Sequence, residues 1–321
     1  MKPFRKHLVL AIDGGGVRGG IATRALRRVE EKLNIRLPDI VNLTVGTSAG
    51  AIIAAALAVD LSATELDGLF PNFCEEVFKK RWKNVMPFKF FVNHQYSNQA
   101  FTQQLKNILA DMTFEEFKQK HPTRKMVTTT FDVIHNKTRF LKTDKPQYAN
   151  WPFYKAVLAS AAAPTYFPVV DGQYIDGGVG SYNNPCYLAA YETQYVLNWD
   201  PGEVTLISLG AGRTLPSVRP GEADKFSALG WIPHILDGFS YSADDQQVRL
   251  VDTFFPDLDF RRYQVDLEEN IALDDASAIG NIHRYGEQMA DMILNDEVDR
   301  AMLRREGRKF AASQFSAANP I

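Results

Sequence analysis

Gly46, Ser48 and Gly50 place a serine between two glycines in a Gly-x-Ser-x-Gly pattern. Residues 40–45 form an extended apolar run before it, and residues 51–59 after it are nearly all small or apolar helix formers. A serine on such a strand-to-helix turn exposes its hydroxyl as a nucleophile, and the helix N-terminus directs free N–H groups toward it. The same spacing also fits a glycine-rich turn whose serine only caps the helix, so other residues must decide.

A second glycine-rich segment, residues 13–19, follows residues 8–12, an apolar run typical of a buried parallel strand. Consecutive glycines leave backbone N–H groups uncovered, which is an anion-binding geometry. The Gly14-x-Gly16-x-x-Gly19 spacing matches a dinucleotide fingerprint, but the acid that this fingerprint needs after the second strand is missing. The other candidate anion is the oxyanion of an acyl-transfer intermediate, which a loop beside the serine turn would stabilise.

A serine hydroxyl needs a base within hydrogen-bond reach, and the usual base is a histidine oriented by an acid. None of the six histidines lies in a motif, although the chain order leaves a triad of Ser48, Asp176 and either His234 or His283 open. Asp176 ends an apolar segment and precedes two glycines, an exposed turn that can bring a carboxylate into a site. Proximity and partial desolvation would make this carboxylate an effective base.

Four blocks of the sequence resemble, in order, the motifs of the patatin-like phospholipases. They are residues 13–19 (Asp-Gly-Gly-Gly-Val-Arg-Gly), 46–50 (Gly-Thr-Ser-Ala-Gly), 159–164 (Ala-Ser-Ala-Ala-Ala-Pro) and 176–178 (Asp-Gly-Gly). The resemblance covers about residues 5–215, and the C-terminal third adds little to it.

This resemblance implies a three-layer α/β/α sandwich with a mostly parallel central sheet and a C-terminal helical extension. It also implies a catalytic dyad without histidine, in which Ser48 is the nucleophile and Asp176 is its base. The expected activity is hydrolysis of fatty-acyl esters in phospholipids or lysophospholipids through an acyl-enzyme, with no metal and no cofactor. The family pattern assigns an oxyanion hole to the N–H groups of Gly14, Gly15 and Gly16, a loop-steadying role to Arg18, and motif support to Gly46, Gly50, Gly177 and Gly178.

Three alternatives stay open at this point. The first is an esterase with a Ser-His-Asp triad that acts on small soluble esters. The second is a nonenzymatic nucleotide-binding module built on the glycine-rich loop. The third keeps the lipid hydrolase and adds control, because bacterial patatin-like enzymes include effectors of anti-phage defence that cyclic nucleotides activate.

Composition restricts the partners and the compartment. The 321 residues carry a formal net charge of −2, which argues against nonspecific nucleic-acid binding. Two cysteines give no disulfide framework and fit a reducing compartment. The longest uncharged apolar run, residues 49–59, is too short to cross a bilayer, so we expect a cytoplasmic protein. The basic and aromatic segment 79–92 suits peripheral contact with an anionic membrane, although it also fits a solvated loop with buried rings.

The remaining elements predict a single domain over residues 1–321, with a core of about 5–215 and an extension of about 216–321. Residues 62–65 form a capping box that opens a helix to about Val77. Residues 127–133 and 138–141 read as a hairpin, and residues 204–209 as a buried strand. Helical patterns near 226–236, 244–254 and 279–293 are typical of packing elements. The oligomeric state cannot be deduced from these patterns.

Overall fold

A computed structural model describes residues 1–79, 94–214, 221, 223–225 and 227–299, with the backbone alone for 225 and 228–240. In chain order the strands are β1 (His7–Ile12), β2 (Val41–Gly46), β3 (Lys125–Asp132), β4 (Lys137–Lys142), β5 (Tyr174–Asp176), β6 (Val204–Leu209), β7 (Arg213–Thr214), β8 (Asp259–Tyr263) and β9 (Asp266–Leu267). The helices are α1 (Gly20–Leu33), α2 (Leu37–Ile40), α3 (Ala49–Ala58), α4 (Ala63–Val77), α5 (Asn98–Leu109), α6 (Phe114–Lys120), α7 (Phe153–Ala161), α8 (Cys186–Tyr191), α9 (Ala228–Phe254) and α10 (Ile279–Asn295).

A mostly parallel sheet lies at the centre of the molecule. Six of its strands follow the order β4-β3-β2-β1-β6-β8. In this order, neighbouring strands among β3, β2, β1, β6 and β8 pair in parallel, whereas β4 and β5 run antiparallel to β3. Strands β7 and β9 form a separate two-stranded sheet. The predicted α/β class with a mostly parallel sheet is therefore confirmed.

Strand β5 takes over the edge of β3 where β2 ends. Strand β4 covers β3 along Val127–Asp132, so β2 and β5 must share the opposite edge. Strand β2 pairs there with Lys125–Thr128, and β5 pairs with Thr130–Asp132. As a result, the C-terminal end of β5 meets the C-terminal end of β2, where the serine turn begins.

Side chains of β1 alternate between two cores on opposite faces of the sheet, as expected for a period of two. Leu8, Leu10 and Ile12 pack in the core that α1, α3, α4, α5, α7 and α10 cover. Val9 and Ala11 pack in the second core with residues of α8 and α9. Helices therefore cover both faces, which gives the three layers that the sequence predicts.

Local sequence explains the helices that flank the serine turn. Every residue of α3 is buried, which is why this helix is apolar all round. Helix α4 begins at the predicted capping box, where Ser62 and Glu65 bond reciprocally. Helix α1 has one apolar stripe and packs with it against α10 and α4.

The C-terminal region differs from the sequence-based expectation. The two helical patterns at 226–236 and 244–254 belong to one helix, α9. A strand, β8, also joins the central sheet beside β6, although the sequence shows no apolar run there. Strand β8 was not predicted because Arg261 and Arg262 interrupt its apolar pattern, and buried parallel strands are usually continuous apolar runs.

Arg262 is fully buried because it pairs with a carboxylate at the end of β1. Its guanidinium donates to both oxygens of Asp13, at 2.8 and 2.5 Å, and to the hydroxyl of Ser208 at 2.7 Å. Such a bidentate pair satisfies two charges that would otherwise be costly to bury. The extension therefore contributes directly to the start of the glycine-rich loop.

Several expectations concern the membrane. Across the described ranges, no helix is long and apolar enough to cross a bilayer. The basic and aromatic segment 79–92 lies outside the described residues except for Lys79, so its contact with a membrane stays a prediction.

Candidate active site

Ser48 lies on a strained turn between β2 and α3. Its backbone φ is 54° and its ψ is −123°, a conformation that a non-glycine residue rarely adopts. The glycines beside it are required by close packing: a Cβ on Gly50 would lie 2.1 Å from the carbonyl oxygen of Ile12. A Cβ on Gly46 would lie 2.2 Å from the carbonyl oxygen of Gly50. Both predicted supporting glycines therefore hold the turn in place.

The N–H of Ser48 donates to the side chain of Ser160 in α7 at 3.0 Å. Ser160 is fully buried and belongs to the block of small residues at 159–164, the third of the four family-like motifs. The sequence gives no sign of this hydrogen bond, because it joins residues that are 112 positions apart.

Asp176 ends β5 and lies beside Ser48. One carboxylate oxygen accepts the N–H of Gly178 at 2.8 Å, and the side chain of Ser48 acts on the same carboxylate as a hydrogen-bond donor. Gly177 lets this turn approach β3, since a Cβ there would lie 2.0 Å from the hydroxyl oxygen of Thr129. The structure thus brings together the two residues predicted to react, while their catalytic roles stay predictions.

Burial dominates the electrostatics of Asp176. Only 7% of the residue is exposed, and desolvation raises the pKa of its carboxyl from 3.8 to about 6. The hydrogen bonds from Gly178 and Ser48 act in the opposite direction because they stabilise the charged form. The carboxylate is therefore ionised near neutral pH and still more basic than an exposed aspartate.

The glycine-rich loop lies against the same site, although one of its amides differs from the expectation. The N–H of Gly14 donates to the carbonyl of Asn183 at 3.0 Å, so in this conformation it is already occupied. Gly16 has a φ of 56°, and a Cβ there would lie 2.1 Å from the carbonyl oxygen of Leu273. Arg18 lies in the following 3-10 turn, where its N–H donates to the carbonyl of Gly15 at 3.1 Å.

Three other amides are open in the part of the chain that the structure describes. The N–H groups of Gly15, Gly16 and Ala49 have no hydrogen-bond acceptor there, and all three residues line the cavity that contains Ser48. Ala49 is the first residue of α3, where an N–H has no partner within the helix. The predicted oxyanion hole therefore keeps the N–H groups of Gly15 and Gly16, and we add the N–H of Ala49 to the prediction.

Residues 181–184 connect these parts. The hydroxyl of Thr47, the residue before Ser48, donates to the carbonyl of Tyr182 at 2.6 Å. Asn183 accepts the N–H of Gly14, and its side-chain oxygen packs close to Gly14 and Gly178. This segment therefore contacts the serine turn, the glycine-rich loop and the turn after Asp176. No sequence motif that we recognised pointed to it.

A cavity of about 1430 Å³ opens onto Ser48 and Asp176. One part of its lining is apolar and consists of Ile52, Phe70, Phe73, Cys74, Val77, Phe78, Phe101, Phe167 and neighbouring small residues. Another part is polar and consists of Asn183, Arg213, Thr214, Tyr241, Asp244, Gln264 and Asn270, among others. The glycine-rich loop also lines the cavity, so a bound ester could contact both parts and the loop at once.

Histidines are placed elsewhere. Of those whose side chains the structure describes, none lines the cavity. His283, one candidate for a triad, lies 2.9 Å from Arg24 in a contact between α10 and α1. The side chain of His234, the other candidate, lies outside the described residues.

Four acidic residues lie close together in the sequence near residue 270, namely Glu268, Glu269, Asp274 and Asp275, and they make ordinary contacts. Asp274 accepts the hydroxyl of Tyr96 at 2.6 Å, and Asp275 caps the turn at Ser277. Glu268 pairs with Arg284. The residues that the structure describes contain no group of three or more potential ligands that could hold a metal ion.

Comparison with known proteins agrees with the motif order. A family model described as patatin-like phospholipase matches residues 10–190, which is more than half of the chain. The chain is 29% identical over 201 residues to a cGAMP-activated phospholipase of Escherichia coli (strain TW11681), covering 57% of this chain and 55% of that protein. It is 24% identical to patatin-like protein 2 of Arabidopsis thaliana, covering 84% and 77% of the two chains.

A third relative is calcium-independent phospholipase A2-gamma of Mus musculus, with 27% identity over 84% of this chain and 36% of that protein. The chain therefore spans about half of the E. coli protein and about a third of the mouse protein. Among solved structures, VipD from Legionella pneumophila matches with a TM-score of 0.45 and 13% identity, covering 90% of this chain and 67% of that one.

Replacing Gly50 with alanine tests the packing of the serine turn. The added Cβ would lie 2.1 Å from the backbone oxygen of Ile12, which cannot move without disturbing β1. We expect the free energy of unfolding to fall by about 1–3 kcal/mol, measured by urea denaturation. Gly68→Ala is the control, because Gly68 lies in α4 with open space around it and alanine favours a helix. Equal stability of the two variants would contradict the packing argument.

Replacing Asp176 with asparagine tests the cost of burying this carboxylate. Its folded-state pKa of about 6 exceeds the unfolded value of 3.8, so ionisation opposes folding as pH rises between these values. We expect the free energy of unfolding of Asp176→Asn, relative to that of wild type, to increase by about 3 kcal/mol as the pH rises from 4 to 8, because one pKa unit corresponds to about 1.4 kcal/mol. The measurement is urea denaturation at a series of pH values. A stability difference that does not change with pH would show that the pKa is not raised.

Proposed function

The chain belongs to the patatin-like phospholipase family, and from this we propose that it is a serine hydrolase of fatty-acyl esters in membrane phospholipids. The observation that carries the proposal is the carboxylate of Asp176 beside the hydroxyl of Ser48, next to the apolar lining of a large cavity. A nucleophile, a base and an apolar binding surface are the parts that acyl transfer from a lipid requires.

In the proposed reaction, the oxygen of Ser48 attacks the carbonyl carbon of the ester while Asp176 accepts the hydroxyl proton. The resulting oxyanion is stabilised by the N–H groups of Gly15, Gly16 and Ala49. The carbon–oxygen bond to the glycerol then breaks, and Asp176 returns its proton to the departing oxygen. Water, deprotonated by Asp176, then attacks the acyl carbon, the bond to the Ser48 oxygen breaks, and Asp176 returns the proton to that oxygen, which releases the fatty acid and regenerates the serine hydroxyl.

An aspartate serves as the base here because of its surroundings. A pKa of about 6 keeps the carboxylate ionised at neutral pH, and it reduces the pKa difference between this base and the serine hydroxyl. The short distance between the two side chains adds the benefit of an intramolecular reaction. The absence of any described histidine from the cavity lining favours this dyad over a histidine triad.

The cavity suits a substrate with a long apolar chain. Its volume of about 1430 Å³ exceeds that of a typical small-molecule pocket, which is about 300–1,000 Å³. Aromatic and aliphatic side chains of α4, α5 and the segment after α7 form its apolar part. We assign the acyl chain to that part and the head group to the polar part, for a diacyl phospholipid or a lysophospholipid.

Replacing Ser48 with alanine should abolish hydrolysis, because no nucleophile remains in the dyad. We expect a fall of about 10⁶-fold in kcat, as for the loss of the nucleophile in other serine hydrolases. Mass spectrometry of the products from mixed phospholipid vesicles would measure the loss and show which acyl position and head group are used.

Ser277→Ala serves as the control for this substitution. Ser277 is exposed and lies in a turn away from the cavity lining, so the control should act like wild type. Hydrolysis retained by Ser48→Ala would remove Ser48 from the reaction.

Control by a cyclic nucleotide is a second candidate property. The observation that favours it is the similarity to the E. coli protein, whose name describes activation by cGAMP. We expect addition of cGAMP to increase the rate of vesicle hydrolysis, with AMP as the matched control. An equal rate with and without cGAMP at micromolar concentrations would contradict control by this ligand.

A further inference from the structure

Helix α9 holds residues 181–184 through two polar side chains. Asp244 accepts the N–H of Asn184 at 3.1 Å and the side-chain amide of Asn183 at 3.3 Å. Gln247 donates to the carbonyl of Ser181 at 3.2 Å. Residues three positions apart share one face of a helix, so α9 presents this pair together.

Other hydrogen bonds join residues 181–184 to residues next to the proposed reacting groups. Asn183 accepts the N–H of Gly14, at the start of the glycine-rich loop, and Tyr182 accepts the hydroxyl of Thr47, next to Ser48. Two hydrogen bonds therefore separate Asp244 from the glycine-rich loop. Asp244 lies outside residues 10–190, the part of the chain that the family model matches.

We propose that Asp244 is a positioning residue, whose carboxylate fixes Asn183 and thereby sets the glycine amides relative to Ser48. The inference rests on the proposed function, since positioning has a consequence only if Ser48 reacts. The position of reacting groups affects the rate strongly, because a distant mutation that displaces them by about 1 Å can lower the catalytic rate by about 10²-fold. Asp244 also lines the cavity, but it makes no hydrogen bond to Ser48 or Asp176 in the described structure, and we assign its effect on them to the 181–184 segment; an unchanged KM separates this effect from a contact with the substrate.

The charges around Asp244 make this arrangement dependent on pH. The charges of Asp13 at the end of β1 and of Arg262 in β8 act on it in opposite directions, and the nearby thiol of Cys186 in α8 is kept neutral because burial raises its pKa. Burial, followed by the charge of Asp13, raises the pKa of Asp244 to about 7. The ionised carboxylate offers two strong acceptor oxygens to the N–H groups of Asn183 and Asn184, whereas protonation weakens one of them as an acceptor. Activity should therefore rise with pH through two ionisations, one near 6 for Asp176 and one near 7 for Asp244.

The experiment compares Asp244→Asn, Asp244→Glu and wild type by kcat and KM on a soluble acyl ester between pH 5 and pH 9. We expect Asp244→Asn to lower kcat by about 10- to 100-fold with little change in KM, and to lose the ionisation near 7. Asp244→Glu keeps a carboxylate and should recover part of the rate together with the second ionisation. Asp252→Asn is the matched control, because Asp252 is an exposed carboxylate on the same helix and does not line the cavity.

Labelling of the serine by a fluorophosphonate counts the folded, competent sites and separates positioning from stability. The proposal expects full labelling of Asp244→Asn at long times, with a slower initial rate. It is overturned if Asp244→Asn matches Asp252→Asn in kcat and pH profile. It is also overturned if fewer sites are labelled while kcat per labelled site stays at the wild-type value. Wild-type protein that neither hydrolyses esters nor labels at Ser48 would refute the proposed function and this inference with it.

Discussion

The site depends on a carboxylate that is buried without a cation. In the described part of the chain, no ion pair involves Asp176, and its charge is met by the N–H of Gly178 and the hydroxyl of Ser48. Removing a charge from water is costly unless dipoles replace the solvent. A neighbouring lysine or arginine would lower the pKa and make the carboxylate a weaker base. The fold therefore accepts a local loss of stability to keep this group basic.

Strand pairing determines where that carboxylate lies. Strand β2 stops at Gly46, and the vacant edge of β3 receives the short strand β5 in antiparallel orientation. Two strands that point toward each other along one edge bring their ends together, so Ser48 and Asp176 meet although they are far apart in the chain. Rigid strands hold such a pair more closely than two flexible loops would.

Patterns within a few residues of one another could be predicted from the sequence. The serine turn, the capping box of α4, the hairpin of β3 and β4, and the buried strand β6 all follow from local composition. What the sequence concealed are contacts across long separations: Ser160 with the amide of Ser48, and Asn183 with the amide of Gly14. Residues 244–254 pack on the sheet as predicted, but the role of Asp244 stayed hidden for the same reason, because it bonds to a residue 60 positions away.

The pair between Asp13 and Arg262 has a consequence for the order in which the chain is made. Asp13 is synthesised 249 residues before Arg262, its only described ion-pair partner. Until then, the anionic side chain that begins the glycine-rich loop has no guanidinium to neutralise it, and a desolvated lone charge is strongly disfavoured. A nascent chain is therefore expected to complete the loop only after β8 is available. On this account, the pocket around Ser48 takes its final form only after β8 has been synthesised.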